Sequence, residues 1–181
     1  MGSGLLSGMA GTFTAYIDSR RWSLTLSAYV TGTVFWIDQL SKHLVSRLLA
    51  SSDHGPIELL PFFALRWEEN RGISMSLLNA GDGTGRWLLV GITGLICAGV
   101  GLWLFREKRR DHAVALAVIL GGALGNIADR ITRGYVVDFL DLHIGEWRPF
   151  LIFNLADVAI SLGVVFLLAT SLLRPSSTSA T

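Results

Sequence analysis

The sequence predicts an all-α membrane protein: four transmembrane helices carrying a small extracytoplasmic β-sheet cradle and a short interfacial helix. Three observations predict it. Hydrophobic residues make up 51% of the chain and charged residues only 16%, well below the roughly 25% usual in soluble domains. The apolar residues fall into four runs of about 20, long enough to cross a bilayer. Two of the segments between runs are rich in Val, Phe, Leu and Ile interrupted by turn residues, as short strands are.

The elements follow in order. Residues 1–19 are Gly- and Ser-rich and carry no basic residue, so the chain is expected to open on a disordered cytoplasmic tail, 1–21, rather than a cleaved signal peptide. The first span covers about 24–49, and its second half carries Asp38, Lys42 and His43. "IELLPFFALRW" (57–67) reads as strand, and "ISMSLLNAG" (73–81) as a brief interfacial helix or an ordinary loop. The second span, "WLLVGITGLICAGVGLWLF" (87–105), is free of charge, and the third, about 113–128, is rich in Ala and Gly. Gly91, Gly94, Gly99, Gly101, Gly121, Gly122 and Gly125 suit close helix packing where hydrophobicity cannot drive association. "YVVDFLDLHI" (135–144) is again strand-like, and the fourth span, 154–173, carries no charge between Asp157 and Arg174. Residues 22–174 are thus expected to form one four-helix domain, followed by a cytoplasmic tail over 175–181.

Charge orients the chain. "REKRRD" sets four basic residues between spans two and three, and Arg20, Arg21 and Arg174 flank the termini. All of these fall on one face, which the positive-inside bias makes cytoplasmic, leaving the loops 50–86 and 130–153 outside. Most of the tryptophans sit near span ends as interface anchors. A net charge of +1 gives no argument for nucleic acid. The lone Cys97 excludes an intrachain disulfide, and His43, His54, His112 and His143 lack ligand spacing, so no metal site is expected.

The polar residues converge. Asp38 and Lys42 share a helix face in the outer half of span one. Asn126 and Asp129 close span three, Asn154 and Asp157 open span four, and Asp138 lies in the loop between them. Asn70 and Gly72 lie in the first outer loop. Ionisable groups at membrane spans are expensive and mark a site or its support. Singly, each has a plainer reading. Asp157 fits a helix cap, Asp129 an ion pair with Arg130, and Asp38 a partner neutralising Lys42. Ser41 beside Lys42 does not make a nucleophile pair, because adjacent helix residues do not face each other. The remaining chemistry is that of paired carboxylates. One holds a proton while the other takes a proton from an attacking water. Spacing leaves open which two of Asp38, Asp129, Asp138, Asp141 and Asp157 pair.

In this order, "DQLSK" (38–42), "ENRGISMSLL" (69–78), "GGALGNIADR" (121–130), "VVDF" (136–139) and "FNLAD" (153–157) closely resemble the lipoprotein signal peptidase (signal peptidase II) family over about residues 30–170. The resemblance implies an aspartic endopeptidase of the bacterial inner membrane, active at its extracytoplasmic face. It would remove the signal peptide from diacylglyceryl-modified prolipoproteins by cutting before the lipidated cysteine. It implies Asp138 and Asp157 as the catalytic pair, with Asn70, Asn126, Arg130 and Asn154 orienting substrate or dyad. Asp38, Lys42, Gly72 and Asp129 take supporting roles. It also implies membrane lipids and the cyclic peptide globomycin as partners, a sufficient monomer, and no cofactor.

One stretch departs from the commoner family form, reading Asn70-Arg71-Gly72-Ile73-Ser74-Met75 where many members have Asn-Thr-Gly, small residues and an aromatic. Arg71 is a candidate for contact with lipid phosphate or the substrate backbone. The rival functions are a small proton-coupled transporter using the acids as a relay, a lipid-modifying transferase and a scaffold. A relay would spread ionisable groups through the membrane depth, a transferase would show a His or Ser nucleophile setting, and a scaffold would not need Asn and Asp paired twice at facing helix ends.

Overall fold

The computed structural model describes residues 3–49, 55–72 and 83–173, with side chains in the first helix from Ser23 onward. Its elements are α1 (Ser3–Leu49), β1 (Ile57–Leu60), β2 (Phe63–Asn70), α2 (Thr84–Arg106), α3 (Arg110–Thr132), β3 (Val136–Leu142) and α4 (Leu155–Leu173). The three strands form one antiparallel sheet in the order β1-β2-β3. Both strand-like stretches of the sequence supply it.

Three described helices, α2, α3 and α4, are long and apolar enough to cross a membrane. The expected span at 24–49 lies within α1, which is not among these three; its second half carries Asp38, Lys42, His43 and Arg47. The N-terminal segment also differs from expectation. Helical backbone begins at Ser3 where a tail was expected, and no proline before Pro56 interrupts it. The interfacial helix expected at 73–81 and the C-terminal tail at 175–181 lie outside the described residues.

The centre of the bundle is α3, which packs against α1, α2 and α4. Its composition allows this. Ala113, Ala115, Ala117, Gly121, Gly122, Ala123 and Gly125 are all buried, so neighbouring backbones approach closely. A Cβ on Gly122 would meet the Ala156 carbonyl oxygen at 2.6 Å, and one on Gly125 would strike the Asp38 carboxylate. Among the described residues, the expected packing role finds no partner at Gly91, Gly94, Gly99 and Gly101 of α2, where nothing lies within 4 Å of an added Cβ. That helix turns Ile92, Leu95 and Ile96 outward. Gly163 of α4 packs against Ala115 and Ile119 instead, a contact that span four's long apolar run conceals.

Candidate active site

The path from β3 to α4 builds the site. After β3 the chain loops out through 143–152 and returns, and Phe153 pairs with Leu140. Phe153 N–H donates to the Leu140 carbonyl at 3.1 Å, and the Phe153 carbonyl accepts from Phe139 and Leu140 at 2.9 and 2.8 Å. This return lays the start of α4 beside β3, so that Asn154 reaches Asp138.

At the start of α4, Asn154 and Asp157 cap one another. The Asp157 N–H donates to Asn154 Oδ1 at 3.0 Å and the Asn154 N–H donates to Asp157 Oδ2 at 3.2 Å. Two of the helix's orphan donors are satisfied reciprocally, as in a capping box. The plainer reading of Asp157 as a cap therefore holds for one of its oxygens. The other, Oδ1, accepts from Asn126 Nδ2 at 2.9 Å.

Asp138 is 2% exposed. Its Oδ1 accepts from Asn154 Nδ2 at 2.6 Å and its Oδ2 from Asn70 Nδ2 at 2.9 Å. Asn70 is itself held, its Oδ1 accepting from the Gly72 N–H at 2.9 Å. Gly72 has φ +86, a left-handed value that a side chain would strain, which accounts for glycine two residues after the amide. Burial pushes the Asp138 carboxyl up to about 6, and the nearby Asp157 charge adds to this. The two amide donors and Lys42 pull the other way without cancelling it. A carboxyl poised there, beside a second carboxylate, is suited to general acid–base work.

Beneath this pair lies a buried cation. Lys42 is fully buried, with Nζ 2.8 Å from Asp38 Oδ2, 3.0 Å from Asp129 Oδ2 and 2.8 Å from Asn126 Oδ1. The Asp38 reading thus holds, but with two acids on one lysine rather than one. The surplus carboxylate charge is met by donors. Asp38 Oδ1 accepts from the Ala156 N–H at 3.0 Å, and Asp129 Oδ2 from the Val137 N–H at 3.3 Å. Gln39 Nε2 lies 3.1 Å from Asp38 Oδ2 and 3.3 Å from Asp129 Oδ1. Gln39 is a site residue that the sequence reading missed. It stands inside the DQLSK motif, and an amide beside a membrane-level acid was the available signal.

The ion pair expected between Asp129 and Arg130 does not form. Consecutive helix positions point apart, and Asp129 faces Lys42, with Arg133 Nη1 at 3.9 Å. Arg130 donates to the Asn126 carbonyl at 3.4 Å, and its charge is felt by Asp157, Asp138 and Asp129 together. Ser41 donates to the Asp38 carbonyl at 2.7 Å, within its own helix. Asp141 is separate from the site: it is 1% exposed and held by Arg148 Nε at 3.2 Å from each carboxylate oxygen and by Arg66 at 3.4 Å. Arg71 pairs with Glu69, and its guanidinium lies 5.6 Å from the Tyr135 ring centre. All ten residues expected at the site are accordingly placed, and Asp38, Lys42, Asn70, Gly72, Asn126, Asp129, Asp138, Asn154 and Asp157 are joined by a continuous hydrogen-bond network, with Arg130 at its edge.

Comparison with known proteins identifies the family. The family model for signal peptidase (SPase) II matches residues 30–173. The lipoprotein signal peptidase of Rhizorhabdus wittichii is 50% identical over 156 residues, covering 86% of this chain and 91% of the relative. That of Sphingopyxis alaskensis is 52% identical over 139 residues, covering 77% and 80%. A bacterial membrane enzyme solved by the in meso method at 2.3 Å resolution has a TM-score of 0.69 at 26% identity, over 87% of this chain and 93% of that one. A match running from the middle of α1 to the end of α4, through every member of the network, makes this chain a member of the signal peptidase II family.

Proposed function

We propose that the protein removes signal peptides from diacylglyceryl-modified prolipoproteins in the bacterial inner membrane, cutting before the lipidated cysteine, with Asp138 and Asp157 as the catalytic pair. The observation that carries this is the position of Asn154. Its Nδ2 donates to Asp138 while its Oδ1 caps the Asp157 N–H, so one side chain fixes both acids relative to each other.

In this reading Asp157, holding amide and backbone donors on its two oxygens, is the ionised partner and takes a proton from water as that water attacks the scissile carbonyl. Asp138 carries the proton as the bound substrate excludes water, polarises the carbonyl, and returns a proton to the leaving amine. Water's hydroxyl ends on the new carboxyl and its proton on the amine, so no cofactor enters the balance.

The same reading makes residues 22–174 one domain of four membrane-crossing helices, with α1 crossing as the fourth because Asp38 and Lys42 are buried against α3 rather than facing lipid. Both termini are then cytoplasmic, together with the basic α2–α3 turn, and the site is extracytoplasmic. The lipid on the substrate keeps the scissile bond at that boundary. A monomer suffices, and a globomycin-type cyclic peptide would compete for the same acids. A transport relay finds less support, since α2 bears no ionisable carboxylate, amine or guanidinium between Arg86 and Arg106.

The test is cleavage of a diacylated prolipoprotein by purified enzyme in detergent, followed by gel shift. Asp138→Asn and Asp157→Asn should each remain folded by thermal unfolding and lose about a thousandfold or more in kcat. Near wild-type cleavage by either folded variant overturns the pair.

A further inference from the structure

Lys42 is the largest fully buried side chain among the described residues, yet it touches neither Asp138 nor Asp157. Its contact with Asn126 gives it an influence on the site that neutralising two acids does not require. An ammonium group has donors and no acceptor. The Asn126 side-chain atom 2.8 Å from Nζ must therefore be the carbonyl oxygen, and the same oxygen also accepts from Asn154 Nδ2 at 3.3 Å. The amide nitrogen is forced to the other side, where it lies 2.9 Å from Asp157 Oδ1. With Lys42 absent, the longer Asn154 Nδ2 contact at 3.3 Å is the donor left to hold that oxygen, and the amide is less firmly fixed.

Lys42 is itself held against turning. Asp38 and Asp129 grip it from α1 and α3, and Gln39 bridges the two acids. The direction of donation thus runs one way, from Lys42 to Asn126 to Asp157. The remaining charged groups about Asp157 are Asp138 on β3 and Arg130 on α3.

We propose that Lys42 is a positioning residue for catalysis: by dictating which end of the Asn126 amide faces Asp157, it keeps that aspartate as a hydrogen-bond acceptor aligned for its work. This rests on the reading of Asp157 as catalytic.

The test is a double-mutant cycle on kcat with the full-length enzyme in detergent. Lys42→Met and Asn126→Ala should each lower kcat by about tenfold to a hundredfold, the size expected for a lost charge-assisted donor, with KM nearly unchanged. The double variant should be no slower than the slower single one, because both substitutions break the same chain.

Lys42→Met strands two buried acids and invites misfolding. Lys42→Met/Asp129→Asn keeps the net charge of the three groups and should reproduce the kcat loss in a protein that melts cooperatively. Wild-type kcat per folded enzyme in that variant, or multiplicative effects between Lys42 and Asn126, overturns the proposal. If Asp157→Asn itself still cleaves, the catalytic reading has failed instead, and the two failures are told apart by that control.

Discussion

Asn154 and Asp157 each accept the other's backbone N–H across the first turn of α4, while the Asn154 amide also donates to Asp138 at 2.6 Å. Capping and alignment of the acids are thus two uses of one side chain, and substitution can separate them. Asn154→Ala should lose both, costing about 1 kcal/mol of stability and most of kcat. Asn154→Ser keeps a capping oxygen but is too short to reach Asp138, so melting in detergent should recover while cleavage does not. Recovery of both in the Ser variant would deny Asn154 a role beyond capping.

The raised carboxyl of Asp138 makes stability depend on pH with a definite sign. The fold prefers this group protonated, with its titration moved from 3.8 to about 6. Its contribution is full below about pH 4 and is lost as pH rises through about 6. Asp138→Asn cannot ionise and should therefore melt above wild type at pH 8, by up to about 3 kcal/mol, while the difference shrinks at pH 4.5. A variant that gains nothing at pH 8 would count against a buried, unwilling carboxylate.

Two glycine substitutions should differ sharply. Gly122→Ala drives a methyl into the Ala156 carbonyl, between α3 and the turn that carries Asp157. It should cost about 1–3 kcal/mol and reduce cleavage with it. Gly94→Ala enters open space on α2 and should be silent in both thermal unfolding and cleavage.

Arg148 offers a contrast outside the site. It donates to both oxygens of the buried Asp141 at 3.2 Å and fastens the 143–152 loop to β3. Arg148→Ala should lower the melting temperature by leaving that carboxylate short of donors, at about 1–3 kcal/mol, while kcat holds. A kcat that falls with the melting temperature would show that the loop's anchoring reaches the dyad.

Much of this was legible in the sequence, and the limits have physical causes. The polar residues announced themselves because an acid or amide at a membrane boundary has few reasons to be there. The sheet announced itself through β-branched and aromatic runs. What stayed hidden were relations between distant segments. Asp38 accepting from the Ala156 N–H of another helix has no local signature. Nor does the return of Phe153 to Leu140, which brings Asp138 and Asp157 to the same Asn154 side chain. The glycines of α2 and α3 look alike in one dimension, and only their neighbours tell a packing seam from an open flank.

The grip on Lys42 has a consequence for how the chain is made. The ammonium's ally Asn126 lies 84 residues further on, and the α4 N–H that steadies Asp38 lies 118 residues beyond it. During synthesis the first helix is therefore made before its companions exist. It carries its own provisional counter-ion, since Asp38 stands four residues ahead of Lys42 on the same face. That internal pairing neutralises the lysine of a nascent, half-polar helix in the meantime. The later elements then add Asp129, Asn126 and the Ala156 N–H, so the network closes only when α1, α3 and α4 are all present.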